Sequence, residues 1–172
     1  MKKIVLLVLF LLVSSFLLRP PVNGGKITSR FGPRNAHGRF FHTGTDIALP
    51  TGAPVNSTSW GTVTETGFTE RNGNYVIISH LPVVESRYLH LDSMNVAEGQ
   101  KVRPIDIIGT VGNTGISTGS HLHFEIRLFG TPLPPYFLCI PGRIAQKTGA
   151  YGIIDLLIGN MSIKTLIHCF SS

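Results

Sequence analysis

Charge, cysteine and helix-forming periodicity are all scarce in this chain. Only 14% of its 172 residues are Asp, Glu, Lys or Arg. Between the N-terminal segment and Gly130, no run is long enough or periodic enough to require a helix. Glycine (19) and proline (11) are plentiful instead, which suits many short strands joined by tight turns and argues against a helical bundle. The fold is therefore read as mainly β. There are two cysteines, Cys139 and Cys169, neither among the clustered histidines, so thiolate chemistry is not expected; in an oxidising compartment they can pair with each other. No internal repeat or low-complexity segment is present. The length fits one catalytic-sized domain plus a terminal extension and suffices to bury a core.

The chain opens "MKKIVLLVLFLLVSSFLLRP". Lys2 and Lys3 precede an unbroken apolar run from Ile4 to Val13, the layout of a secretory signal. Residues 1–19 are read as a signal peptide or signal-anchor. Cleavage after Ser15 would place Val13 and Ser15 at the small-residue positions, although there is no A-x-A. Retention as a membrane anchor ending near Leu18 is the alternative, short against the roughly 20 residues of a span. No cysteine lies nearby to carry a lipid. The protein is expected to be exported, to the periplasm, the cell envelope or the medium. Its formal net charge is +6, part of it from Lys2 and Lys3. A basic exported domain suits anionic envelope polymers, and no nucleic-acid partner is expected.

Residues 20–26, within "PPVNGGK", read as a linker. "GTVTETGF" (61–68) and "NYVIISHL" (74–81) are strand-like, with the Asn-Gly turn signal of a hairpin in "ERNG" (70–73) between them. "SRYLHL" (86–91), "QKVRPIDIIGTVG" (100–112) and "SHLHFEIRLFG" (120–130) follow, each bounded by turn residues. Past Pro141 the texture changes. Ile153, Ile154, Leu157, Ile158 and Met161 have helix-like spacing, interrupted by Gly152 and Gly159, while Asp155 and Lys164 argue against a membrane span. Residues 136–172 are expected to form a C-terminal extension with a short helix.

The chemistry-bearing residues are histidines. "HLHFE" puts His121 and His123 two apart, so a strand points both to one face while Leu122 and Phe124 face the other way. With seven histidines in the chain, such a pair alone decides nothing. "HTGTD" adds His42 and Asp46, an imidazole and a carboxylate that a tight turn at Gly44 can fold onto one ion. His90, in "RYLHL", is a third element. Three protein ligands and an open position are the layout of a catalytic zinc site, and the two spare imidazoles suit proton transfer in hydrolysis. Strand geometry leaves open whether His121, His123 or both bind the ion.

"ITSRFGPR" (27–34), "HTGTDIALPTGAPV" (42–55), "GTVTETG" (61–67), "YLHL" (88–91) and "VAEGQKVRPIDIIGTVGNTGISTGSHLHFEI" (96–126) stand in the order and spacing of the lysostaphin/LytM-type zinc endopeptidases, which the chain resembles over roughly residues 27 to 130. The resemblance implies a compact antiparallel β fold of barrel-sandwich type, with one zinc ion in a groove on one sheet. It implies a monomeric domain over residues 27–135 that hydrolyses peptide cross-links of bacterial peptidoglycan through a zinc-activated water. It also assigns roles: His42, Asp46 and His123 match the zinc ligands, His90 and His121 the histidines acting on the water and transition state. Gly44 matches the turn glycine, and Glu125 a supporting residue. His37, His80 and His168 match no functional position and are read as surface or loop residues.

The chain departs from the family pattern twice. No tyrosine precedes Tyr75, so oxyanion support falls to His90, His121 or a nearby arginine. The chain also continues well past the usual end of the domain. Two other readings compete: a binding module that keeps the fold without activity, against which the five intact residues speak, and a biotinyl- or lipoyl-type carrier suggested by residues 96–112, which would need Lys101 at a hairpin tip.

Overall fold

The computed structural model describes residues 18–36 and 39–135, the side chains at 35, 36, 39 and 40 excepted. The segment up to residue 17 read as a signal, His37, His168, the pairing of Cys139 with Cys169 and the helix expected beyond residue 136 lie outside the described residues.

As the glycine-punctuated sequence implies, the described residues form twelve short strands and no α-helix. They are β1 (Lys26–Ser29), β2 (Gly32–Ala36), β3 (Arg39–His42), β4 (Thr45–Ala48), β5 (Pro54–Asn56), β6 (Gly61–Thr69), β7 (Gly73–Leu81), β8 (Val84–Met94), β9 (Lys101–Val102), β10 (Ile107–Val111), β11 (His121–Leu128) and β12 (Thr131–Leu133). Every strand pairing is antiparallel. The main sheet runs β1-β4-β11-β8-β7-β6-β9; β12 adds to β11, β10 pairs with both β8 and β5, and β2 with β3 makes a separate hairpin. This is the mainly β, antiparallel architecture expected.

The 70–73 turn forms as its Asn-Gly signal requires, joining β6 to β7 with Gly73 at φ +63°. The stretch 100–112 does not form one strand. It divides at Pro104, which has no N–H for a ladder, and Asp106 closes the turn by accepting from the Arg103 amide at 2.9 Å. His80, read as a surface or loop residue, lies on β7, within the 74–81 stretch expected to be a strand, and is half-buried. Its Nδ1 donates to the Trp60 carbonyl (2.8 Å) and its Nε2 is 2.7 Å from Ser86 Oγ; burial pushes its pKa down. The segment 20–26 contributes Val22 to the core, and the Asn56 amide donates to the Pro21 carbonyl at 2.7 Å.

Strand alternation sets which face carries chemistry. On β11, Leu122, Phe124 and Ile126 are buried in the core with Val55, Ile78, Tyr88 and Ile108; His121, His123 and Glu125 point to the other face. The Tyr88 and Phe124 rings, on β8 and β11, pack 5.3 Å apart directly behind the histidines, and the Tyr88 hydroxyl accepts from the Thr58 amide at 2.9 Å. One strand turns a corner. β8 pairs with β11 from Val84 to Leu89 and with β10 from Leu91 to Met94. The exchange falls at His90, whose φ is +64°, and the register with β7 slips there too.

Phe124→Ala would empty the space between the two histidine-bearing strands. We expect a loss of about 3–5 kcal/mol, read as a lower midpoint in chemical denaturation; an unchanged midpoint would place the core elsewhere.

Candidate metal centre

His42 ends β3 and Asp46 sits in β4 directly across from His123 of β11 in the antiparallel register. Folding thus brings the two sequence clusters together across the β4–β11 pair. His42 Nε2 lies 3.1 Å from Asp46 Oδ1 and 3.1 Å from His123 Nδ1, and His123 Nδ1 is 2.7 Å from Asp46 Oδ1. Among the described residues these three form one group whose donor atoms converge closely enough to hold a metal ion. Bonds of about 2.0–2.1 Å at tetrahedral angles separate ligand atoms by about 3.3 Å, so the triangle has nearly the size zinc requires. Two imidazole nitrogens and a carboxylate oxygen are also the donor set zinc takes.

Gly44 is needed for space. A Cβ there would come within 2.7 Å of His123 Nε2 and 2.5 Å of the Phe124 carbonyl, so any other residue would push the β3–β4 bend off β11.

The other nitrogen of each ring is also occupied. His42 Nδ1 donates to the Arg30 carbonyl at 2.8 Å, with Ser29 Oγ 3.2 Å away, which leaves Nε2 as the free lone pair. His123 Nε2 donates to Glu125 Oε1 at 3.1 Å. Glu125 is itself buried, accepting from Thr43 Oγ1 at 2.5 Å and from Arg127 Nε at 2.8 Å. Burial raises the pKa of Glu125, but the bonds from His123, Thr43 and Arg127 outweigh it and hold the carboxyl at about 2. Asp46 follows the same pattern: burial is overcome by His123 and His42, and its pKa is lowered. The reciprocal effect falls on His123. Burial disfavours its charge, yet the carboxylates of Asp46 and Glu125 on its two sides raise its pKa.

His90 and His121 complete the cluster, so all five residues singled out in the sequence meet. Their ring centroids are 4.9 Å apart, and the His90 ring packs edge-on to His123 at 5.9 Å. His121 Nε2 is 3.8 Å from Asp46 Oδ1, while its Nδ1 donates to the Gly119 carbonyl at 2.7 Å. His90 Nδ1 donates to the Thr114 carbonyl at 2.8 Å. Burial pulls the His90 pKa down to about 4, only partly offset by that carbonyl, and a nearby divalent cation would lower it further. At neutral pH His90 is therefore a neutral imidazole with Nε2 free to accept. Its left-handed backbone costs about 1–3 kcal/mol.

Sequence reasoning missed Thr43, Arg30, Arg34 and Thr114. Thr43 and Arg30 lie within quoted motifs, but the atoms they supply are revealed only by the pairing of distant strands. Arg34 Nη1 lies 3.7 Å from Asp46 Oδ2 and donates to Ser29 Oγ at 3.1 Å, making it the arginine beside the site. Tyr75 bonds Glu65 of β6. Lys101 opens β9 opposite Thr62 and is at no hairpin tip, which removes the ground for a carrier.

The model of peptidase family M23 matches residues 40–135. The chain is 37% identical over 128 residues to the peptidoglycan DD-endopeptidase ShyC of Vibrio cholerae, covering 72% of this chain and 30% of ShyC. Among solved structures, a zinc-containing peptidase from Vibrio cholerae superimposes with a TM-score of 0.66 at 38% identity, over 75% of this chain and 41% of that one. The catalytic domain of the antimicrobial peptidase lysostaphin from Staphylococcus simulans does so with a TM-score of 0.62 at 32% identity, over 66% of this chain and 92% of that domain. The chain spans between 26% and 33% of the length of the curated relatives it matches.

A metal ion must displace the proton from His123 Nδ1, and that proton is held above the ordinary histidine value of 6.5. Apparent zinc affinity should therefore rise with pH through the neutral range, with proton release measurable by calorimetry in buffers of different ionisation enthalpy. Affinity independent of pH would show that His123 Nδ1 is not a ligand. Glu125→Gln keeps the shape but weakens the hold on His123; zinc affinity should fall about 10–100-fold in a chelator competition, whereas an unchanged value would make Glu125 a packing residue only.

Proposed function

The chain belongs to peptidase family M23, and from that premise we propose that it is a zinc-dependent endopeptidase hydrolysing peptide cross-links of bacterial peptidoglycan. The reading is carried by one observation: His42 Nε2, Asp46 Oδ1 and His123 Nδ1 converge within 4.8 Å of one another, beside two further imidazoles whose Nδ1 atoms are bonded to main-chain carbonyls. In this reading His42, Asp46 and His123 hold one zinc ion. Bound zinc supplies a Lewis acid that polarises the scissile carbonyl and activates a water for attack.

The residues around the ion do the rest. His90 and His121 each donate Nδ1–H to a main-chain carbonyl and so present Nε2 to the reacting groups. The imidazole that accepts the proton of the attacking water delivers it to the departing amine; the other, carrying a second proton taken from solvent, supports the negative charge on the carbonyl oxygen. Among the described residues no tyrosine shares this work, and Arg34 is a cation next to the ligand set. The catalytic unit occupies residues 27–135, and the protein acts as an exported monomer in the periplasm or cell envelope, led there by the segment up to residue 19.

Mass spectrometry of purified peptidoglycan fragments incubated with the protein should show new amino and carboxyl ends at the cross-links, abolished by a strong chelator; intact cross-links would refute the activity. The division of roles is tested by zinc content. His123→Ala should lose both the ion and cleavage. His121→Ala and His90→Ala should keep the ion while turnover falls on the order of 10²-fold or more. Zinc loss in either of the latter would make that residue a ligand.

A further inference from the structure

Thr114 lies in the loop after β10, contacts none of the three converging donors, and is tied to three segments of chain. Its hydroxyl donates to the Leu91 carbonyl at 2.8 Å and accepts from the Asn74 amide at 3.0 Å. Its own carbonyl accepts from His90 Nδ1 at 2.8 Å. Asn74 and Leu91 are partners in the β7–β8 register, next to the slip that accommodates His90. The hydroxyl therefore bridges the two strands where the regular ladder is interrupted, and the carbonyl of the same residue receives the histidine.

The loop carrying Thr114 docks on the β6–β7 turn by main chain. The Ile116 amide donates to the Arg71 carbonyl at 3.1 Å, and the His90 amide to the Asn72 carbonyl at 2.9 Å. A Cβ on Gly73 would run into Thr114 Oγ1, and one on Gly115 into the Gly73 amide nitrogen. Both glycines have positive φ, +63° and +72°, so turn and loop approach as closely as bare backbone allows. His90 is fixed on both sides, by the turn through its amide and by Thr114 through its ring.

We propose that Thr114 is a positioning residue: its hydroxyl holds the corner of β8 so that its carbonyl fixes the His90 ring as the Nδ1–H tautomer with Nε2 toward the reacting groups. The proposal rests on the role given to His90 above. Thr114 itself touches no reacting atom. A carbonyl cannot donate, so as long as it faces Nδ1 it dictates which nitrogen carries the proton.

The test uses the full chain loaded with zinc, comparing Thr114→Val, which keeps the shape and removes the hydroxyl, with Thr114→Ser, which keeps the hydroxyl. Thr114→Val should retain stoichiometric zinc and an unchanged KM on a soluble cross-linked peptide, while kcat falls on the order of 10²-fold. Thr114→Ser should restore most of the turnover. Long-range 1H–15N spectra, with the His90 signal assigned by its loss in His90→Gln, should show Nδ1–H in the parent and in Thr114→Ser, and a mixture of tautomers in Thr114→Val. Phe124→Leu, assayed at the same distance below its own melting temperature, controls for general loosening and should keep the single tautomer. The proposal is overturned if Thr114→Val keeps the parent's tautomer and kcat, or if the Val and Ser variants are equally impaired. Should Thr114→Val fail to fold, Thr114→Ala decides by the same two readouts. If His90→Gln retains full turnover, the role assigned to His90 is wrong, and the tautomer readout still decides what Thr114 does.

Discussion

Each of the four clustered imidazoles has one nitrogen committed to an acceptor that the fold holds in place, and the site depends on that commitment. An imidazole has two nitrogens and one exchangeable proton when neutral, so fixing the donor fixes the acceptor. Three of the four acceptors are main-chain carbonyls, of Arg30, Thr114 and Gly119, which can neither ionise nor donate. The fourth is the Glu125 carboxylate, kept ionised by Thr43, Arg127 and the histidine it serves. The distinction follows the placement of the rings. His123 lies in the middle of β11, where both neighbouring strands use their carbonyls for the ladder, so a side chain must supply its partner. The other three lie at strand ends or at the corner of β8, where carbonyls are free of the ladder.

The corner of β8 governs the arrangement. A strand that stayed paired with β11 throughout would carry His90 past the site on a regular pleat. By leaving β11 after Leu89 and joining β10 from Leu91, β8 turns at His90 and sets its ring beside those of His121 and His123. A β-branched or aliphatic residue would not accept φ +64° readily, and the local cost is met by hydrogen bonds from the 70–73 turn and the loop after β10.

Much of this was legible in the sequence. The i, i+2 spacing of His121 and His123 announced a shared face, the Asn-Gly signal at 72–73 placed the β6–β7 hairpin, and the glycine and proline content announced short strands. What could not be read was what strand pairing decides. The sequence does not show that Asp46 faces His123, because register is set between segments 77 residues apart. Nor does it show that His90 sits at a change of partner, or that Thr114 reaches Asn74 from 40 residues away. The division at Pro104 was within reach, since a missing N–H argues against a central strand. His80 is read from sequence as a surface or loop residue because it matches no functional position, whereas the Trp60 carbonyl and Ser86 hydroxyl that accommodate it come from elsewhere in the chain.

The backbone-to-backbone seat between Gly73 and Gly115 separates what can vary from what cannot. Its geometry is set by two residues without side chains, one hydroxyl and the main-chain bond from the Ile116 amide, so the exposed side chains of Ile116 and Thr118 are not needed to hold the loop on the turn. Ile116 is 66% exposed. The rim of the site is thereby modular: its exposed side chains can be exchanged, and new surface chemistry tried beside the metal centre, while the imidazole behind them keeps its place.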